Sequence, residues 1–249
     1  MMHALRRLLR KALPGSVRRS VMRYSRWPPI GRADLGDLRR LTPISREWGA
    51  DRGQPIDRYY IERFLSDNAT WIRGHVLEIG YDRYTRAFGG DRVTHSDVLH
   101  VAERNPGVTI VADLTRADNI ASDTFDCMIL TQTLQFVQDV PAVLNTAYRI
   151  LRPGGVLLAT FPGISQISRY DMDRWGHFWS FTTRSAKSLF EAVFPADEVS
   201  IEVKGNVLAA SAFLYGLAAE ELAADELESF DPEYEVLITV VARKPETAG

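Results

Sequence analysis

Three carboxylates close short β-type apolar runs: Glu78 in Val76-Leu77-Glu78-Ile79-Gly80, Asp97 in Ser96-Asp97-Val98, and Asp113 in Ala112-Asp113-Leu114. Open α/β sheets bind ligands in the crevice outside the carboxyl ends of their strands. Acids at the ends of three successive parallel strands therefore predict one negatively lined crevice. Such a crevice suits a ligand combining a cation, a ribose diol and an exocyclic amine. A carboxylate at Asp97 could accept both ribose hydroxyls, each bond to a charged acceptor contributing about 1.5–3 kcal/mol. A nicotinamide dinucleotide would use the same acid. Against that ligand, the phosphate-cradling G-x-G-x-x-G is missing, and an acid stands where a pyrophosphate would approach.

The elements that must position these acids alternate. Strands are predicted at 75–79, 92–96, 108–112, 125–130 and 156–161, with helical or loop stretches between them, so the sheet is mainly parallel. A helix is predicted from Pro55, with Ile56, Tyr59, Tyr60, Ile61 and Phe64 as its apolar stripe. A second runs from about Val140 to Leu151, capped by Asp139 with Pro141 in its first turn. Pro153-Gly154-Gly155 turns the chain into the next strand. The tail predicts a helix over 184–193, a strand over 199–204, a helix over 207–222 and a last strand over 236–242. That last strand, reached without a crossover helix, should lie antiparallel.

The composition, 45% hydrophobic and 25% charged, is ordinary for a soluble globular chain. The single cysteine, Cys127, excludes an internal disulfide and reads as a small buried hydrophobe in a cytoplasmic protein. Residues 1–40 hold eleven Arg or Lys against Asp34 and Asp37 alone, whereas the remainder is acidic. An acidic main domain argues against nucleic acid as the chief partner. The basic arm is a separate unit, so the expected division is 1–45 (arm and connector) and 46–249 (main domain). In the arm Leu5, Leu8, Leu9 and Ala12 share one helical face. The apolar pieces are too short for a secretory signal or a membrane span. Peripheral contact of residues 1–27 with an anionic inner membrane face is one expectation. Packing on the chain's own domain or on a partner chain, a second copy included, is the other.

With Leu151-Arg152-Pro153-Gly154-Gly155 added to the three acid strings, the chain from about Tyr59 to Pro245 resembles the class I S-adenosylmethionine-dependent methyltransferases of the small-molecule type. The stretch Arg174 to Thr182 and Gly205-Asn206-Val207 look like a subgroup associated with glycan or secondary-metabolite pathways. The resemblance implies a Rossmann-like α/β fold: a seven-stranded, mainly parallel sheet with an antiparallel last strand and helices on both faces. It implies S-adenosylmethionine as cofactor and methyl transfer, here to a hydroxyl of a sugar, glycan or other small metabolite. The first motif departs from the family pattern, since Glu78-Ile79-Gly80-Tyr81-Asp82-Arg83-Tyr84 keeps only the first glycine.

Carried over residue by residue, Glu78 and Gly80 would serve the methionine end, with Tyr81 or Tyr84 closing over it. Asp97 and Val98 would hold the ribose. Asp113 and the backbone of Leu114 would hold the adenine. Thr131, Gln132 and Gln135 would floor the pocket near the sulfonium. The acceptor side should follow the fifth strand, with His177 as first-choice base and Asp171 and Asp173 as second choices. Arg169 and Arg174 hint at an anionic acceptor. The sequence shows no His/Cys cluster with metal-ligand spacing, so no metal is expected, and His3, His75, His95 and His100 read as scattered. The alternative reading is a non-catalytic partner of a glycan-assembly complex that keeps this fold as a scaffold.

Overall fold

The computed structural model describes residues 28–102 and 106–246. The basic arm of residues 1–27, its amphipathic helix and its membrane contact lie outside them. The chain divides into two compact units between Thr42 and Pro43. Of the first unit, the described part carries one 3-10 turn at Gly36–Leu38.

The second unit is built on a seven-stranded sheet in the order β3-β2-β1-β4-β5-β7-β6. Its strands are β1 (Gly74–Ile79), β2 (Val93–His100), β3 (Ile110–Val111), β4 (Phe125–Thr131), β5 (Leu151–Pro162), β6 (Val199–Lys204) and β7 (Leu237–Arg243). Pairs among the first five are parallel, and β7 runs antiparallel to both β5 and β6. The helices are α1 (Ile56–Asp67), α2 (Val140–Ile150), α3 (Arg169–Met172), α4 (Thr183–Phe190), α5 (Val207–Tyr215) and α6 (Ala224–Glu228).

Side chains alternate across a strand, so the central strands feed two cores. Leu77, Met128, Leu130 and Leu157 join Val143, Leu144 and Ala147 of α2 and Phe190 of α4 on one face. Val76, Cys127, Ile129 and Leu158 join Ile56, Tyr60 and Ile61 of α1 and Phe213 of α5 on the other. Each fully buried aliphatic contributes about 1.5–3 kcal/mol. Burial also raises the Cys127 thiol pKa, as befits a core residue.

The cap on α2 is as read from sequence: the Asp139 side chain accepts from the Ala142 N–H at 3.0 Å. Several elements differ from expectation, among them β3, which is only Ile110–Val111, and α4, which ends at Phe190. Helix α5 stops at Tyr215 because Gly216 takes the left-handed C-cap, φ +72°. Strand β5 begins at Leu151, opposite Phe125, with a register shift before Cys127. Strand β2 runs on to His100, four residues beyond the expected end.

Candidate active site

The crevice is set by where β1, β2 and β4 end. Gly80 follows β1, donates its N–H to Leu99 O at 2.9 Å and holds φ +84°. No atom lies within 4 Å of where its Cβ would stand, so the backbone there faces open space. The next residues curl into a short π-helical turn, Thr85–Gly89. Glu78 anchors that curl. One oxygen accepts the Tyr84 N–H at 3.1 Å, and the other accepts both the N–H and the hydroxyl of Thr85 at 2.7 and 2.8 Å. Burial, only partly countered by these bonds, raises its carboxyl pKa.

At the end of β4 the chain strains. Gln132 adopts φ +47°, a left-handed conformation costly for a side-chain-bearing residue. Its N–H donates to Thr160 O at 2.8 Å, and its side-chain Oε1 accepts from Gln135 Nε2 at 3.1 Å. Thr131, half-buried, closes β4 opposite Thr160, and its carbonyl accepts the Thr133 hydroxyl at 2.9 Å. Gln135 is buried, yet its Oε1 has no hydrogen-bond partner. Its backbone carbonyl accepts the Phe178 N–H at 2.8 Å, which fastens the loop after β5 over this corner. In that loop His177 packs edge-on against Phe136, ring centroids 5.2 Å apart, and its Nδ1 is buried without a partner. Burial lowers the His177 pKa, and Asp171 only partly restores it. Trp175 of the same loop meets His100, at the end of β2, at 6.1 Å. The sheet edge and the loop thus bring together Gly80, His100, Gln132, Gln135, Trp175 and His177.

Asp113 lies two residues past β3, exposed. Its Oδ1 accepts the Thr115 N–H and hydroxyl at 2.9 and 2.8 Å, which lowers its pKa and keeps it ionised. The Leu114 side chain is buried in the core.

Several expected assignments are corrected. Asp97 is not at the carboxyl end of β2: it pairs with Leu77, three residues short of the crevice. Its two oxygens are bonded to His75 Nε2 at 2.7 Å and to the Thr109 hydroxyl at 2.6 Å. Val98 is likewise buried mid-strand, opposite Glu78. The residue at the strand's end is His100, which sequence reasoning passed over; the signal was the apolar alternation Val98-Leu99 continuing beyond Asp97. Tyr84 does not cover the crevice. Its ring is buried in the α1-side core, and its hydroxyl accepts from Arg58 Nη1 at 3.0 Å. Tyr81, by contrast, is exposed.

Among the acceptor-side residues, Asp173 is paired with Arg169 at 2.5 Å on the surface. Asp171 accepts from the Ser168 hydroxyl at 2.6 Å. Arg174 stacks 3.4 Å over the Tyr170 ring. Both arginines hinted at from sequence are therefore held within their own segment. Two of the histidines are also not scattered: His75 and His95 meet, ring centroids 4.5 Å apart, whereas His3 lies outside the described residues.

The residues at the carboxyl edge fit S-adenosylmethionine. Gly80 offers open backbone, and the orphaned Gln135 Oε1 offers a buried acceptor to a cationic or N–H-bearing ligand.

Residues 76–159 match a family model described as a methyltransferase domain. No curated protein matches the chain in sequence. Among solved structures the chain is similar to a SAM-dependent methyltransferase from Archaeoglobus fulgidus. The TM-score is 0.50 at 12% identity, over 75% of this chain and 94% of that one. It is also similar to the [4+2]-cyclase SpnF, with a TM-score of 0.52 at 14% identity over 79% and 84% of the two chains. The second likeness shows that the fold alone does not dictate the reaction. The domain match lies over the strands that build the crevice, and the structural likenesses show the same fold.

Proposed function

We propose that the chain transfers a methyl group to a hydroxyl of a small, polar acceptor such as a sugar, a glycan or another hydroxylated metabolite. The observation that carries this reading is the unbonded, buried Nδ1 of His177 in the loop fastened over the crevice.

When bound, S-adenosylmethionine supplies a methyl group already activated by its sulfonium. Gly80 would admit its methionine end, the loop order being held by Glu78. Asp113 and the Leu114 backbone would take the adenine, and Thr131, Gln132 and Gln135 would floor the pocket. His100, at the end of β2, would lie beside the ribose in place of Asp97.

His177 would act as base. Its lowered pKa keeps the imidazole neutral near pH 7, and Nδ1 can receive the acceptor's hydroxyl proton as the oxygen attacks. Phe136 and the loop backbone bonded to Gln135 exclude water from one side of that nitrogen. Holding donor and acceptor in line can contribute about 7–11 kcal/mol at best. A groove of about 760 Å³ opens where β5 leaves the sheet, bordered by Gly163, Ile164, Phe181, Arg184, Lys187 and Glu235. Its mixture of apolar floor, cations and a carboxylate suits a hydroxyl-rich acceptor.

The test is turnover of methyl-labelled S-adenosylmethionine against a panel of hydroxylated and amino-bearing small molecules. Methylation of hydroxyl acceptors, lost about 10²–10⁴-fold in His177→Ala with cofactor affinity kept, is expected. Label transferred only to amines would overturn the oxygen assignment.

A further inference from the structure

We infer that His75, His95 and Asp97 form a site for a divalent transition-metal ion of the zinc class, at the amino edge of the sheet and away from the methyl-transfer crevice. The register of β1 and β2 builds it. His75 pairs with His95 and Leu77 with Asp97, so all three side chains share one face of the sheet. Their nearest ligand atoms, one from each residue, all lie within 4.8 Å of one another. His75 Nε2 is 2.7 Å and His95 Nε2 is 3.6 Å from the same oxygen, Asp97 Oδ2.

A tetrahedral zinc ion with ligands at about 2.0–2.2 Å sets its donor atoms roughly 3.3–3.5 Å apart. These two separations straddle that value, so side-chain rotations that shift the donor atoms by less than about 1 Å admit the ion. His75 then moves its ring hydrogen to Nδ1 and presents the Nε2 lone pair. Two imidazoles and one carboxylate are a donor set that such ions favour over magnesium or calcium.

The surroundings hold the ligands in place. The Thr109 hydroxyl donates to the other oxygen, Asp97 Oδ1, at 2.6 Å, and so aims Oδ2 at the two histidines. The Phe125 ring packs on His75 with centroids 4.6 Å apart. His95 is 63% exposed, which leaves the fourth position to water. Gly80 lies three residues further along β1 than Leu77, about 10 Å at 3.3 Å per residue, so the ion would not touch the reacting groups. It would instead clip β2 to β1 beside an edge where β3 pairs through two residues only, Ile110 and Val111.

The experiment uses the untagged full chain. Isothermal titration with Zn²⁺, repeated with Co²⁺ under visible absorption, should show one saturable equivalent and a Co²⁺ spectrum of low coordination number. Zn²⁺ should also raise the melting temperature. His95→Ala, at an exposed position that folding tolerates, should weaken binding at least tenfold and remove the melting shift. His75→Ala should do the same, and His100→Ala should bind like the native chain. Absence of saturable binding, or equal affinity in His95→Ala and the native chain, overturns the site.

Discussion

Thr85 donates twice to one carboxylate oxygen of Glu78, from its backbone N–H at 2.7 Å and from its hydroxyl at 2.8 Å. With the Tyr84 N–H on the other oxygen, a single buried acid sets the path of the chain out of β1. That arrangement offsets the missing second and third glycines, because the curl is fixed by side chain-to-backbone bonds rather than by glycine conformations. Only Gly80 needs the left-handed region here.

Glu78→Gln tests this arrangement. The amide keeps the size but turns one acceptor into a donor facing N–H groups. A buried donor left unsatisfied costs about 1–3 kcal/mol. Denaturant titration should show that loss, and S-adenosylmethionine affinity should fall at least tenfold by calorimetry. Native affinity in a destabilised Glu78→Gln chain would separate fold support from loop placement.

The pH behaviour of His177 has a defined sign. Burial lowers its pKa below the ordinary imidazole value near 6.5. The unfolded chain then binds more protons than the folded one in acid. The stability linked to this group is full above that ordinary value and is lost as pH falls through the lower folded value. Activity should follow the same group. The acid limb of kcat/KM should lie below pH 6.5 and should vanish from the residual activity of His177→Ala. A limb at or above 6.5 would remove His177 as the base.

Gln132 offers a test of strain at the crevice. Gln132→Gly relieves a left-handed residue, a gain offset by the greater freedom of glycine in the unfolded chain, so stability should rise by about 1 kcal/mol or less. Turnover should fall, because the Gln132 Oε1 that steadies Gln135 is gone. A thermal melt alongside steady-state kinetics reads both, and unchanged turnover would make the strain purely structural.

Much of the scaffold was legible in the sequence for identifiable reasons. Asp139 followed by Pro141 and an apolar stripe specifies α2 locally, and 199–204 alternates cleanly enough to give β6 its observed bounds. The stop at Gly216 was missed, because the apolar run beyond it continues the helical pattern. What sequence could not supply was strand register. Whether an acid stands at the end of a strand or three residues inside depends on how far the neighbouring strand pairs, and that is a long-range property. The same register brings His75 to His95 across a separation at which no spacing rule operates. Tyr84 was misplaced for a related reason: its partner, Arg58 of α1, is contributed by another element.

Tyr84→Phe should therefore behave as a core change. Losing the bond from the Arg58 guanidinium leaves a largely buried cation with one partner fewer, at a cost of about 1–3 kcal/mol. The melting temperature should drop, and S-adenosylmethionine affinity should stay within about twofold. A tenfold loss of affinity with an unchanged melt would return the ring to the crevice.

Asp97→Asn distinguishes the two placements of this acid most sharply. If Asp97 held the ribose, losing the charge would weaken S-adenosylmethionine binding tenfold or more, which corresponds to about 1.4 kcal/mol. In the structure the carboxylate instead joins β1 to β2 through His75 and to the start of β3 through Thr109, level with Leu77 and three residues short of Gly80. Its hydrogen bonds and neighbouring histidines hold its pKa below the ordinary carboxylate value despite the opposing effect of burial. The stability linked to this ionised acid is present above the ordinary value and lost as pH falls through the lowered one. A side-chain amide at this position cannot ionise, so the variant should be less stable at neutral pH, with the deficit shrinking in acid, while its cofactor affinity measured at metal-free neutral pH stays near native. Calorimetry and melts at two pH values decide the matter. Lost affinity with native stability would place the acid at the crevice and undo the register argument.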